Sequence, residues 1–402
     1  GALARDVRAL PRTAWIVYAG TFLNRFGSFV LPFLVLVLVR RGFSPAEAGI
    51  AVSAYGVGGV AAGVMGGHLA DRIGRRRTIV LSMFSGAAVM LLLWRAEGIA
   101  ATVALAGLAG ATAEMYRPAA AALLADVTPV GRRVATFALY RMAINGGFAM
   151  GPAVAGFLAT RSLALVFIGD AVTCVLYGLL VLFAVPPDPP RPAPVRAAPE
   201  TAAPPHALRT IAADRAFVTV LAAAVAIAFV YQQATVSLGL EVDARGLSPA
   251  HYGVLASLNG LFCLLLELPV ASVTARGKVW AAMAAGALLT GLGFGATALA
   301  PGFAALAVTV FVWSMGEMVW APVAAAYVAD LAPAGLQGRY QAAFGLTNTV
   351  GLVLASTLGL SVFAWSRGAL WSLCALTGAA AGLLCVTLRA APRPAPVSVP
   401  LT

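Results

Sequence analysis

Gly66-Gly67-His68-Leu69-Ala70-Asp71-Arg72-Ile73-Gly74-Arg75-Arg76-Arg77 lies between two apolar runs, Ala46 to Gly67 and Thr78 to Trp94. Each run is close to the roughly 20 residues that carry a helix across a bilayer. The charged stretch is therefore a short loop pinned at both ends by membrane. Arg72, Arg75, Arg76 and Arg77 fall within six residues. Such charge is costly in hydrocarbon and holds a short loop on the cytoplasmic side during insertion. One loop thus orients every span before and after it.

Composition agrees with that reading. The 402 residues are 61% hydrophobic and 10% charged, with a mean hydropathy of +0.90. A soluble domain carries about 25% charged residues, so a soluble globule is excluded and a polytopic membrane protein remains. The formal net charge of +12 does not indicate nucleic acid, because the arginines are spread over short loops and never interleave with aromatics on one soluble face. Cys174, Cys263, Cys374 and Cys385 all lie in apolar runs without metal-ligand spacing and read as small buried hydrophobes. No disulfide framework, metal or cofactor is expected. His68, His206 and His251 are too scattered for a proton relay. No Lys-bearing phosphate loop, G-x-S-x-G or H-E-x-x-H is present, so neither an ATP-driven pump nor a hydrolase has support and the chain reads as a non-enzyme.

Apolar runs separated by polar or Gly/Pro punctuation number twelve. They are Ala14 to Val39, Ala46 to Gly67, Thr78 to Trp94, Ile99 to Ala125, Val134 to Ala159, Leu163 to Val185, Phe217 to Leu240, Ala250 to Thr274, Val279 to Ala300, Phe303 to Ala329, Gln341 to Trp365 and Gly368 to Leu388. The first is too long for the apolar stretch of a signal peptide and is followed by further spans, so it is expected to stay as a span. Between the sixth and seventh, Pro186 to Arg215 holds nine prolines, which prevents a continuous helix and makes a semi-extended linker. The expected organisation is a bundle over 1–185, a linker over 186–215 and a second bundle over 216–402. An even number of spans puts both termini beside the arginine loop. On that side fall eighteen Lys and Arg: Arg5, Arg8, Arg12, Arg72, Arg75, Arg76, Arg77, Arg132, Arg133, Arg191, Arg196, Arg209, Arg215, Arg276, Lys278, Arg339, Arg389 and Arg393. The other side holds six, Arg40, Arg41, Arg95, Arg161, Arg245 and Arg367, and the bias predicts cytoplasmic termini.

An internal repeat sets the architecture. Arg41-Gly42-x-Ser44-Pro45-Ala46-x-x-Gly49 recurs as Arg245-Gly246-x-Ser248-Pro249-Ala250-x-x-Gly253, an offset of 245 − 41 = 204. The same offset links Pro118, Asp126 and Pro129 to Pro322, Asp330 and Pro333. Two separate segments sharing one offset indicate two parallel six-helix halves related by an axis along the membrane normal. The expected fold class is an all-α polytopic membrane protein with twelve transmembrane helices in two pseudo-symmetric six-helix bundles.

Residues 67–76 read G-x-L-A-D-R-x-G-R-R, and this resembles the loop between the second and third helices of the major facilitator superfamily of secondary transporters. In that family the glycine lets the two helices turn tightly, the aspartate caps a neighbouring helix N-terminus, and an arginine pairs with a carboxylate at the cytoplasmic end of the fourth helix. The resemblance assigns these roles to Gly67, Asp71, Arg75 and Asp126, and places Arg72, Gly74 and Arg76 in the same cytoplasmic gate, latched in the outward-open state. The second half departs from the pattern: position 275, equivalent to Asp71, is alanine in Ala275-Arg276-Gly277-Lys278. A weaker second latch is expected.

An ionisable group at mid-depth in a bilayer is a functional candidate by default, since its insertion costs about 2.5 to 3.5 kcal/mol. Glu114 precedes Asp126 by 12 residues and so lies about 18 Å inside, at about 1.5 Å per residue. Arg117 follows Glu114 on the same helix face. Glu317 reaches a similar depth before Asp330, so each half offers one carboxylate to the midplane. Asp170 in the sixth span and Glu267 in the eighth complete the proton-coupling candidates. The family resemblance lines the central cavity with the first, fourth, seventh and tenth helices, which nominates Asn24, Arg25, Arg117, Tyr231, Gln232, Gln233, Trp313 and Trp320. Arg141, Asn145, Asn259 and Asn348 are further polar candidates within spans. Plainer readings stand beside these: Arg25 and Arg117 as static partners of Glu114, Asp170 as a bond between helices, the tryptophans as lipid-facing.

The fifth span holds Asn145-Gly146-Gly147-Phe148-Ala149-Met150-Gly151-Pro152-Ala153-Val154-Ala155-Gly156. Small residues at this spacing let helices approach closely, and proline bends the helix. Gly147, Gly151, Pro152 and Gly156 are similar to the helix 5 motif G-x3-G-P-x2-G-G of proton-coupled antiporters in the same superfamily, with Ala155 replacing one glycine and Ala138 an upstream one. The resemblance implies a proton-coupled exporter of a small amphipathic drug or metabolite. The alternative is a proton-coupled importer or facilitator of a peptide, sugar or other polar solute. The expected partners are protons, a small-molecule substrate and the lipid of a bacterial inner membrane, with no nucleic acid, the chain acting as a monomer. A sensor or membrane enzyme on the same scaffold is the reading from another class.

Overall fold

The structure, a computed structural model, describes residues 10–129, 132–188, 212–274, 277–333 and 336–390. Among them twelve helices are long and apolar enough to span a membrane. They are α1 Arg12–Arg40, α2 Pro45–Arg72, α3 Arg75–Arg95, α4 Ile99–Val127, α5 Arg133–Arg161 and α6 Leu163–Ala184. The second set is α7 Arg215–Val236, extended by Leu238–Ala244, then α8 Pro249–Thr274, α9 Val279–Leu299, α10 Phe303–Leu331, α11 Gln337–Trp365 and α12 Arg367–Thr387. Most of the proline linker, Arg276 of the second loop, and Arg5, Arg8, Arg191, Arg196, Arg209 and Arg393 lie outside the described residues.

The offset of 204 recurs along the whole set. It separates the starts of α2 and α8 (249 − 45 = 204), and both ends of α3 and α9, α4 and α10, and α5 and α11. The repeated Arg-Gly-x-Ser-Pro motif explains one such register locally. Gly42 and Gly246 take φ values of 94° and 73°, a region that glycine enters without steric cost. Ser44 then caps α2, with Glu47 closing the capping box. In the second half His251 stands where Glu47 does, and its Nδ1 receives the Ser248 N–H at 3.2 Å. Arg41 donates to the Ala96 carbonyl just past α3, and Arg245 to the Thr297 carbonyl in the last turn of α9, both at 2.7 Å.

Three cavity-side helices are interrupted. Helix α1 breaks between Phe26 and Val30, and the Asp170 carboxylate accepts the freed N–H groups of Phe29 and Val30 at 3.1 and 3.2 Å. Helix α4 breaks at Met115, where Pro118 has no N–H to give the Glu114 carbonyl. Helix α7 is interrupted at Gln232 and Ser237.

The two sets of six meet through small residues. A side chain at Gly49 of α2 would strike the Ser356 carbonyl of α11, and one at Gly253 of α8 would strike the Pro152 carbonyl of α5. These contacts are themselves 204 residues apart. Polar links reinforce them: Arg40 to Asp243 at 2.5 Å, Ser53 to Ser356 at 2.7 Å, the Ala153 N–H to Ser257 at 2.9 Å, and the Tyr252 hydroxyl to the Pro32 carbonyl at 3.0 Å. All lie in the parts of the helices remote from the 66–77 loop. Nearer the loop side, Arg141 of α5 pairs with Glu267 of α8.

The arginine loop itself departs from expectation in two details. Helix α2 runs through Gly67 to Arg72, and the sharp turn falls on Gly74, whose φ is 98°. The α3 N-terminus is capped by Asp188, which accepts the Arg75 N–H at 3.0 Å and the Arg76 N–H at 3.1 Å, while Asp71 is exposed. Asp188 comes from the start of the linker, a residue that local spacing around the loop gives no reason to consider.

Candidate functional site

A cavity of about 320 Å³ lies between the two halves. Its walls bring together Arg25, Glu114, Asn145, Tyr231, Asn259, Trp313 and Glu317 from the sequence candidates. Added to them are residues that the sequence did not assign to a cavity, chiefly Tyr55, Phe148, Tyr252 and Cys263. Cys263 was expected to be a buried hydrophobe. It is instead partly exposed in the cavity wall, unlike the other three cysteines, which are buried.

The two carboxylates of the cavity sit in opposite surroundings. Arg25 binds both oxygens of Glu114, at 2.9 and 3.1 Å, and Arg117 adds a third bond at 3.0 Å. Such a bidentate, charge-assisted grip is stronger and more directional than a neutral hydrogen bond. The Arg25 side chain is 7% exposed, and its guanidinium lies 5.6 Å from the Tyr116 ring centroid and 5.5 Å from that of Phe148, within the range of cation–π attraction. The break of α1 after Phe26 places Arg25 at the end of a helical segment, aimed across at the break in α4.

Glu317 has no such clamp among its described partners. Asn259 donates to it at 2.9 Å and is also bonded to Ser314 at 3.0 Å. The Cys263 thiol lies 3.8 Å away, and Tyr231 stands beside it, its ring edge-on to Trp313 at 5.9 Å. A carboxyl held by neutral donors can gain or lose a proton without breaking an ion pair. Glu114 cannot do so while both arginines hold it.

The remaining candidates are placed elsewhere. Arg117 and Glu114 line a second cavity of about 330 Å³ with Gly59, Gly63, Ala121 and Tyr140. Trp320 and Asn348 line a third of about 140 Å³, which shares Glu317 and Tyr231 with the central one. Gln233 is fully buried, receives the Ser237 hydroxyl at 2.7 Å and lies where a side chain at Gly359 would touch it; Gln232 occupies the interruption of α7. Asn24 is buried against the sulfurs of Met83 and Cys174, and Asp170 is buried on the broken α1. Arg141 and Glu267 engage each other. At the arginine loop Arg75 pairs with Asp126, Arg76 donates to the Leu182 carbonyl at the end of α6, and Arg72 is exposed. The Arg75–Asp126 pair joins two elements of the first six spans, and it is made while the remote links between the halves are also made. It is therefore not confined to the outward-open state that the resemblance implied.

Comparison with known proteins places these features in context. The family model of the Major Facilitator Superfamily matches residues 17–248 and 237–401. The chain is 24% identical over 346 residues to the "Uncharacterized MFS-type transporter YqjV" of Bacillus subtilis (strain 168), covering 84% of each chain. It is 26% identical over 376 residues to the "Na(+), Li(+), K(+)/H(+) antiporter" of Planococcus maritimus, covering 86% of this chain and 87% of that one. Among solved structures, the peptide transporter POT in complex with sulfate superposes with a TM-score of 0.77 at 20% identity, covering 94% of both chains. At that identity the likeness is one of fold.

Proposed function

The chain belongs to the major facilitator superfamily, and we propose that it is a proton-coupled antiporter that exports a small amphipathic drug or metabolite from the bacterial cytoplasm by alternating access. The family and the fold point to a membrane transporter rather than an enzyme. The observation that carries the finer reading is the contrast between Glu317, held by neutral donors in the central cavity, and Glu114, clamped by two arginines in the same cavity. Glu317 is the proton carrier. Glu114 and its arginines are the fixed charge against which substrate is oriented.

With the arginine loop on the cytoplasmic side, the links at Arg40–Asp243, Ser53–Ser356 and Tyr252–Pro32 close the cavity toward the outside. Protonation of Glu317 and binding of substrate then exclude each other, which is what couples the two fluxes. One chain encloses the whole cavity, so a monomer suffices. The similarity to a protein named as a cation/proton antiporter and the glycine-proline motif of α5 both support antiport.

A second reading is proton-coupled import of a peptide, sugar or other polar solute. Arg25 and Glu317 supply charges of both signs to one cavity, which suits a zwitterion. Proteoliposomes with an imposed pH gradient separate the two. After a thermal-shift screen against drugs, dipeptides, sugars, lipids and monovalent cations, flux of the hit against the proton flow supports antiport. Flux with the proton flow establishes the importer. Binding without any accumulation would defeat both.

A further inference from the structure

Glu317 and Tyr231 line two cavities at once. One is the central cavity; the other is the chamber of about 140 Å³ enclosed within the last six helices by α7, α10 and α11, with Thr290 of α9 at its back. On α7 the chamber is faced by Ala224, Ile227, Ala228 and Tyr231, the i, i+3, i+4, i+7 spacing of a single helix face. The pair formed by Glu317 and Tyr231 is therefore a partition between two compartments.

The chamber lies on the arginine-loop side of that partition. Glu317 is 14 residues from the loop-side end of α10, about 21 Å along the axis at about 1.5 Å per residue. Ala321 of α10 and Asn348 of α11 line the chamber closer to that side and are exposed. A carboxyl at the inner end, polar Thr347 and Asn348 along the wall and an exposed mouth are the features of a short water-accessible channel. Among the described residues, Tyr231 and Glu317 are the ones that border both it and the central cavity. Of the titratable groups around Glu317, Tyr231, Cys263 and Glu267 come from α7 and α8, and Glu267 is engaged by Arg141.

The geometry points to the α7/α10/α11 chamber as the proton's own route between the arginine-loop side and Glu317, separate from the cavity that takes the substrate. This rests on Glu317 being the proton carrier. A hydronium ion entering past Ala321 and Asn348 delivers its proton to a carboxylate oxygen of Glu317 and leaves as water; the reverse transfer regenerates the carboxylate and hydronium. The proton can thus reach or leave the carboxyl while the central cavity is occupied. Proton and substrate then compete through Glu317 alone and not for a shared path.

Infrared spectroscopy of the purified full chain in liposomes tests the route without a known substrate. The protonated Glu317 band is identified as the carboxylic C=O band lost in Glu317→Gln, and its downshift is timed after exchange from water to deuterium oxide. Ala321→Phe and Thr347→Leu fill the chamber and are expected to slow the exchange at least tenfold. Ala256→Phe, which narrows the central cavity, is expected to leave it within twofold of the native rate. Among the described residues Thr347 bonds a carbonyl of its own helix, that of Phe344, so its variant keeps the fold if the phenylalanine does not. Native-rate exchange in a folded chamber-filled variant, or slowing by Ala256→Phe instead, overturns the route while leaving Glu317 as carrier. Absence of any Glu317 band between about pH 5 and 9, a range centred near neutral, removes the carrier and the route together.

Discussion

Gly253 of α8 packs so closely on the carbonyl of Pro152 in α5 that one added methyl group would collide with backbone. Gly49 of α2 and Ser356 of α11 repeat this relationship 204 residues away. The last residue of the motif duplicated in the sequence is thus a point where the two halves touch backbone to backbone. Backbone against backbone leaves no flexible atom to yield, as in other small-residue contacts between membrane helices.

Replacing either glycine by leucine is expected to force the remote side apart. Gly49→Leu and Gly253→Leu should fold, fall at least tenfold in transport, and raise the labelling of Ala234→Cys by an impermeant maleimide added outside. Unchanged labelling and transport in both would show that the close approach is incidental.

Breaking the Arg25–Glu114 clamp leaves a buried charge alone. Removing one partner of such a pair costs about 3 to 5 kcal/mol. Arg25→Met should therefore lower the thermal midpoint in detergent markedly, and the double variant Arg25→Met with Glu114→Met should recover much of it. Transport should be lost in both. Recovery of transport by the double variant would reduce the clamp to a packing device.

Glu317→Gln keeps the acceptor for Asn259 and should remain folded. It is expected to abolish uphill, pH-driven flux by at least tenfold while preserving counterflow of substrate across the membrane. Proton-driven transport that persists in both Glu317→Gln and Glu114→Gln eliminates the proton assignment.

Asp188 satisfies two free amides at the N-terminus of α3. Caps of this kind contribute about 0.5 to 2 kcal/mol. Asp188→Ala should speed hydrogen exchange at Arg75 and Arg76, whereas Asp71→Ala should leave it nearly unchanged. The opposite ranking would restore Asp71 as the cap.

Much of the site was legible because a membrane leaves few options for a charge. Glu114 and Glu317 could be named from depth alone, Arg25 from the family resemblance, and Arg117 also from its three-residue spacing to Glu114. The 89 residues between Arg25 and Glu114, and the 58 between Asn259 and Glu317, carry no periodic signal that would pair them. Gln233 and Trp320 were polar or aromatic at suitable depth, yet Gln233 is buried with Ser237 beside Gly359 and Trp320 lines the smaller chamber instead of the central cavity. Tyr252, which closes one end of that cavity, sits in an ordinary apolar run.

Sequence alone determined the twelve spans, their common offset of 204 and the charge bias of their loops, because each depends on transfer of local segments between water and lipid. Only the tertiary structure decided which carboxylate is clamped and which is free, that Asp188 rather than Asp71 caps α3, and that Glu317 divides two compartments. Those outcomes depend on which helix faces meet at atomic distance, and packing between remote segments is not written in the period of any one of them.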